Sequence, residues 1–145
     1  MDATLAEVVR RRAATRCEYC QLPEAASCVP FEIDHIISKK HRGPTSGENL
    51  ALTCFYCNSH KGPNIAGVDP ESGALSRLYH PRTDRWDDHF RWNRPVLLGI
   101  TAVGRATIEV LCINAPDFVA LRASLIREGL FPGIARSAGP FGSIS

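Results

Sequence analysis

Long apolar runs are missing from this 145-residue sequence; none approaches the ~18 residues of a membrane-spanning helix. The opening Met1-Asp2-Ala3-Thr4 lacks the charged-then-apolar layout of a secretory signal. Repeats and low-complexity blocks are absent as well. These absences exclude a helical membrane protein and point to a cytoplasmic, intracellular chain with no membrane partner. Lysine is scarce, 3 residues against 14 arginines. Net charge is only +2, which says little alone. The arginine bias says more, because a guanidinium grips phosphate bidentately and stacks on aromatic rings. Apolar residues at 44% and charged residues at 22% are ordinary for a globular chain and argue against disorder. A domain of this length buries roughly 68–70% of its unfolded surface, so disulfides are not needed for stability. Six cysteines in such a chain therefore read as metal ligands before they read as a disulfide framework.

The pattern predicts an α+β fold. Thr4 to Ala14 reads as an amphipathic helix with Leu5, Val8 and Val9 on one face. Arg10, Arg11 and Arg12 close it, as phosphate contacts or as a solvated helix end suited to the dipole. Residues 28–37 (CVPFEIDHII) read as strand material around a turn, and 39–47 as a polar loop. An apolar stretch over 48–54 precedes a short helix near Cys57 to Lys61, which Gly62-Pro63 stops. Beyond it come a turn at 68–73 between short extended segments, a strand near 96–100, and helices near 105–112 and 116–128. The expected division is 1–65 for the chemistry, 66–131 for an α+β extension packed on it, and 132–145 for a loose tail.

Cys17-x-x-Cys20 and Cys54-x-x-Cys57 form two knuckles 33 residues apart. Each CxxC turn points two thiolates at one metal, and two turns complete the S4 shell that zinc prefers. Such a shell has no open position, so the expected zinc, one per chain, is structural. A redox CxxC needs a single pair in a βαβ setting, which this pattern lacks. Cys28 and Cys112 lie outside the pattern and read as buried free thiols.

The segment between the knuckles holds Glu32-Ile33-Asp34-His35-Ile36-Ile37 and Glu48-Asn49-Leu50, and the second knuckle runs on into Asn58-Ser59-His60-Lys61. Neighbours in a strand face opposite sides, so Asp34 and His35 cannot both be plain surface decoration. The order Cys-x-x-Cys, Asp-His, Asn-Leu, Cys-x-x-Cys-Asn, Lys resembles the HNH endonucleases, whose catalytic unit is a ββα-metal motif. The resemblance is close over about Arg16 to Gly62. The stretch from Asp69-Pro70 through Asn93 to Gly104-Arg105-Ala106-Thr107 resembles a bacterial, four-cysteine subgroup.

The resemblance implies a metal-dependent endonuclease acting on DNA, leaving 5′-phosphate and 3′-hydroxyl ends. His35 would be the general base and Asn49 would hold it in orientation across the loop. Asp34 and Asn58 would ligate the catalytic divalent metal. Many relatives carry His at this last position; Asp with Asn is an all-oxygen pair that favours Mg²⁺ or Mn²⁺. His60 is the alternative ligand, and positions two apart on a helix face away from each other, so one of the two faces Asp34. The loop His41-Arg42-Gly43-Pro44 departs from the Gly-Gly expected there. Lys61 and Arg42 stand as phosphate contacts or as solvated charges.

From Arg77 to Arg105, six arginines and three aspartates interleave with Tyr79, Trp86, Phe90 and Trp92. Arg82, Arg85 and Arg91 are candidate contacts to the DNA backbone; Trp86, Phe90 and Trp92 read as core. The alternative to an enzyme is a non-catalytic zinc module that binds DNA or a protein, although such a module has no need of Asp34, His35, Asn49 and Asn58 together. Nothing in the sequence sets the oligomeric state.

Overall fold

The computed structural model describes residues 1–132, so the expected tail lies, apart from Pro132, outside the described residues. Helix α1 (Ala3–Arg12) starts where the Asp2 carboxylate accepts a hydrogen bond from Leu5 N at 2.9 Å. Val9 is fully buried and Leu5 packs against the core, but Val8 is 43% exposed, so the expected three-residue face is narrower. The arginines at its end are ties within the protein. Arg10 reaches Glu24 at 2.7 Å and Phe31 O at 3.1 Å, Arg12 reaches Leu50 O at 2.9 Å, and Arg11 pairs with Glu7.

Strands β1 (Glu32–His35) and β2 (Leu50–Thr53) pair antiparallel, with Asp34 opposite Ala51 and His35 opposite Leu50. All of β2 is buried, which fixes the register, since a slip by one residue would turn its neighbour's faces over. Helix α2 (Phe55–Lys61) follows, with Cys54 Sγ accepting from Cys57 N at its start and Gly62 at φ +50° at its end. This is the ββα unit.

Two further hairpins follow, β3 (Ala66–Val68) with β4 (Leu75–Arg77) and β5 (Phe90–Asn93) with β6 (Val96–Gly99). The one-turn helix α3 (Trp86–His89) leads into β5. Buried Asp69 organises the first hairpin turn, accepting from Glu71 N, Ser72 Oγ and both arms of Arg105. The Arg105 bonds hold its carboxyl below the usual carboxylate range. Helices α4 (Ala102–Leu111) and α5 (Pro116–Arg127) close the described chain. Gly104 is required where α4 meets the preceding turn, because a Cβ there would lie 2.1 Å from His89 O.

One contiguous apolar cluster joins both halves. Val9, Tyr19, Leu50 and Leu52 meet Tyr79, Trp86, Phe90, Trp92, Leu97 and Leu111 in it. The aromatics of 86–92 are thus core, as expected. Cys28 and Cys112 are exposed rather than buried: Cys28 lies in an open turn, and Cys112 takes the left-handed C-cap of α4, φ 52°. No described helix is long and apolar enough to cross a membrane.

Candidate active site and metal cluster

Cys17, Cys20, Cys54 and Cys57 converge, all buried, with their ligand atoms within 4.8 Å of one another. Cys20 Sγ and Cys54 Sγ stand 3.8 Å apart. Zinc–sulfur bonds of ~2.3 Å at tetrahedral angles put sulfurs about 3.8 Å apart, so the donor set is consistent with a zinc site. The first knuckle is a tight turn in which Cys17 N donates to Leu22 O and Gln21 N to Cys17 O, both at 2.9 Å. The second knuckle is the start of α2. Hydrogen bonds from Cys17, then Cys20 and Cys57, hold the Cys54 thiol far below its ordinary range. Cys20 and Cys57 are pushed well above theirs, in each case first by the bond with Cys17. Four sulfurs this close cannot all ionise unaided, and a dication that takes them as thiolates removes the conflict.

The second half of the chain walls this cluster in. Arg122 of α5, 3% exposed, donates to Pro95 O (2.8 Å), Ile113 O (3.0 Å) and Asn114 Oδ1 (3.2 Å), and stacks 5.2 Å over Trp92. Burial lowers its pKa, while Cys20, Cys57 and Cys54 pull it up. Arg82 makes an ion pair with Glu18, inside the first knuckle, and Trp86 Nε1 donates to Tyr19 O at 2.9 Å. Arg82, expected on a DNA-facing surface, is therefore a tie between the halves. Its side chain is 13% exposed.

On the other side of the ββα unit, Asp34 and His35 occupy the end of β1. Asp34 Oδ2 lies 3.6 Å from Lys61 Nζ, an ion pair too long to count as a hydrogen bond. That buried oxygen has no hydrogen-bond partner among the described residues. Burial pushes the Asp34 carboxyl up and the Lys61 ammonium down, and each opposes the shift of the other. Lys61 is 1% exposed and also reaches His35 O at 3.3 Å. It faces Asp34, so the expectation of a surface phosphate contact is corrected: the end of α2 turns its stem inward.

His35 is half-buried, its Nε2 2.8 Å from Thr45 Oγ1. Buried Asn49 fastens the intervening loop. Its Oδ1 accepts from Ile37 N (2.9 Å), and its Nδ2 donates to Ile37 O (2.9 Å) and Pro44 O (2.8 Å). The loop closes so tightly that a Cβ on Gly43 would sit 1.7 Å from Ile37 O. Only glycine fits. Arg42, where a second glycine was expected, takes the left-handed conformation at φ 67° and is exposed.

Asn58 Nδ2 donates to Glu32 Oε1 at 3.1 Å. Glu32 and Asp34 are two apart on β1 and share a face, so the Asn58 amide sits over the face that carries Asp34. His60 is turned elsewhere: its Nδ1 meets Tyr56 O at 2.8 Å, and its ring is 6.4 Å from that of Phe118 on α5. Arg85 and Arg91 are exposed. Sequence reasoning missed Glu32, Thr45 and Arg122. Period-two alternation from Asp34 could have found Glu32; no local pattern marks the other two.

This layout, two paired strands and a helix carrying Asp34, His35 and Asn58 beside a four-thiol cluster, coincides with a family match. Residues 17–64 match the family model of the HNH endonuclease. The likeness over this segment is to an HNH domain. Comparison with curated proteins and with solved structures yields no match. The HNH domain points to a nuclease or another nucleic-acid-related function, and its cysteines to metal binding.

Proposed function

We propose that the chain is an endonuclease hydrolysing DNA phosphodiester bonds, with His35 as general base and one divalent metal, Mg²⁺ or Mn²⁺, held by Asp34 and Asn58. One structural zinc sits in the Cys17, Cys20, Cys54, Cys57 cluster. The observation that carries the reading is the buried Asp34 Oδ2, which faces the Lys61 ammonium at 3.6 Å but has no hydrogen bond among the described residues. A carboxylate oxygen turned inward without a donor is costly, and a hard cation is the partner that suits it. Asn58 supports the reading because Glu32 fixes its NH₂ group and leaves its carbonyl oxygen for the cation. The geometry favours Asn58 over His60 as the second ligand.

His35 takes a proton from the attacking water, and imidazole is the side chain suited to that task near neutral pH. The bond between Nε2 and Thr45 Oγ1 fixes the orientation of the imidazole. Asn49 holds the loop that carries Thr45 and so keeps the imidazole in place. The metal, when bound, supplies Lewis-acid stabilisation of the negative charge on phosphate and leaving oxygen. The exposure of Arg42, Arg85 and Arg91 supports a role for them in meeting DNA phosphates.

Plasmid nicking and cleavage with Mg²⁺ or Mn²⁺, with and without a chelator, tests the reading. Wild type should cut and His35→Ala should not. Equal activity of the two under every metal would leave a non-catalytic zinc module that binds DNA or a protein.

A further inference from the structure

A cleft of about 320 Å³ opens beside the Asp34–His35 face, between the HNH domain and the second half of the chain. Ile36 and Ile37, the residues directly after His35, form part of one wall together with Lys61. The opposite wall is the segment from Arg77 to His80 with Thr83. At about 3.8 Å per residue, the cleft begins one step of chain from the proposed base. Its volume is at the small end of ligand sites, the range of a single nucleoside rather than a larger cofactor.

The lining is selective. Its charged members, Lys61 and Arg77, are both cationic, and each is paired with a carboxylate outside the lining, Asp34 and Asp84. Ile37 and Ile65, both exposed, supply apolar surface for the flat face of a ring, over buried Ile36 and Leu78. His80 Nδ1 accepts from the backbone N–H groups of Arg82 (3.2 Å) and Thr83 (3.3 Å), which leaves the proton on Nε2 as a fixed donor. Burial lowers the His80 pKa and keeps the ring neutral.

We propose that this cleft receives the nucleoside adjoining the scissile phosphate of a bound DNA strand, its base against Ile37 and Ile65 and within reach of the His80 donor. The proposal rests on the nuclease reading for the identity of the neighbouring phosphate. It adds a subsite that recognises a base outside the metal-binding face.

The test uses the full chain and short DNA duplexes carrying one abasic nucleotide at successive positions, with affinity measured without added divalent metal. One position should cost wild type about 10-fold in affinity, the scale of a lost base contact. Thr83→Trp and Ile65→Trp, exposed positions that fill the cleft, should bind intact DNA about 10-fold more weakly and lose their sensitivity to that abasic position. Hydrolysis of bis(p-nitrophenyl) phosphate with Mn²⁺, a diester with no nucleoside, should be unchanged in Thr83→Trp. A flat abasic scan, or tryptophan variants that bind as wild type does, overturns the proposal. Wild type that hydrolyses the small diester no faster than His35→Ala overturns the nuclease reading instead, whatever the binding pattern.

Discussion

The four-thiol cluster and the Asp34–His35 face belong to the same ββα unit, yet they are finished in opposite ways. Around the cysteines every direction is closed: all four residues are buried, and Arg122 and the Glu18–Arg82 pair seal the cluster from the second half of the chain. The Asp34–His35 face is half-open, and its groups are fixed sideways rather than covered, His35 by Thr45, Asn58 by Glu32 and the loop by Asn49. A saturated site can only hold structure together. A site with a carboxylate oxygen that lacks a hydrogen bond and a half-buried imidazole can take a ligand and move a proton.

The largest effect that separates the two is the loss of one sulfur. Cys57→Ser should abolish bound zinc and, with it, cooperative unfolding, because structural zinc contributes on the order of 10 kcal/mol in small domains. Metal analysis together with a thermal melt monitored by circular dichroism checks this. A variant that melts as wild type does would show the staple to be dispensable. His35→Ala should do the reverse. DNA cleavage should fall by roughly 10²–10⁴-fold, the usual weight of a general base, while zinc content and the melt stay unchanged. A large drop in melting temperature would mean that the open face also carries structure, and the contrast would fail.

Arg122 tests whether the enclosure itself matters. Arg122→Met keeps the stem but removes the cation beside the thiolates and leaves Pro95 O and Ile113 O without their donor. Removing one partner of a buried charge arrangement costs roughly 3–5 kcal/mol. Denaturant unfolding should show a loss of that order, with zinc released at lower chelator concentration than from wild type. Unchanged zinc retention would make Arg122 a packing residue only.

The two sites were unequally legible in the sequence. Ligand spacing encodes the cysteine cluster directly, because a CxxC turn dictates where its sulfurs point, and the cluster formed as read. Asp34, His35, Asn49 and Asn58 were legible only through their order along the chain. What surrounds either site was not. Lys61 and Arg82 look like surface cations in the sequence, yet the fold turns one onto Asp34 and the other onto Glu18, 64 residues away. Arg122 lies mid-helix with no local mark, since its partners come from other segments of the second half. Long-range pairing of charge carries no periodicity. Apart from α3 and β5, for which no element was expected, the strands and helices, set by apolar pattern and by caps at Asp2, Cys54 and Thr101, lay close to their expected positions.

The smallest effect comes from the loop beside His35, where stability and binding pull apart. Arg42 holds a left-handed backbone at φ 67°, which costs an L-residue on the order of 1 kcal/mol and glycine almost nothing. Arg42→Gly relieves that strain but also loosens the unfolded chain, so the net gain should be no more than about 1 kcal/mol. If the exposed guanidinium meets a DNA phosphate, the same variant should bind DNA more weakly and lower the slope of log affinity against log salt by about 0.9, one counterion's worth. Stability unchanged or raised with a shallower salt dependence marks the loop as spending backbone strain on a phosphate contact. An unchanged slope with the same gain in stability would make Arg42 a solvated charge, and the open face would then meet its substrate through Arg85, Arg91 and the metal alone.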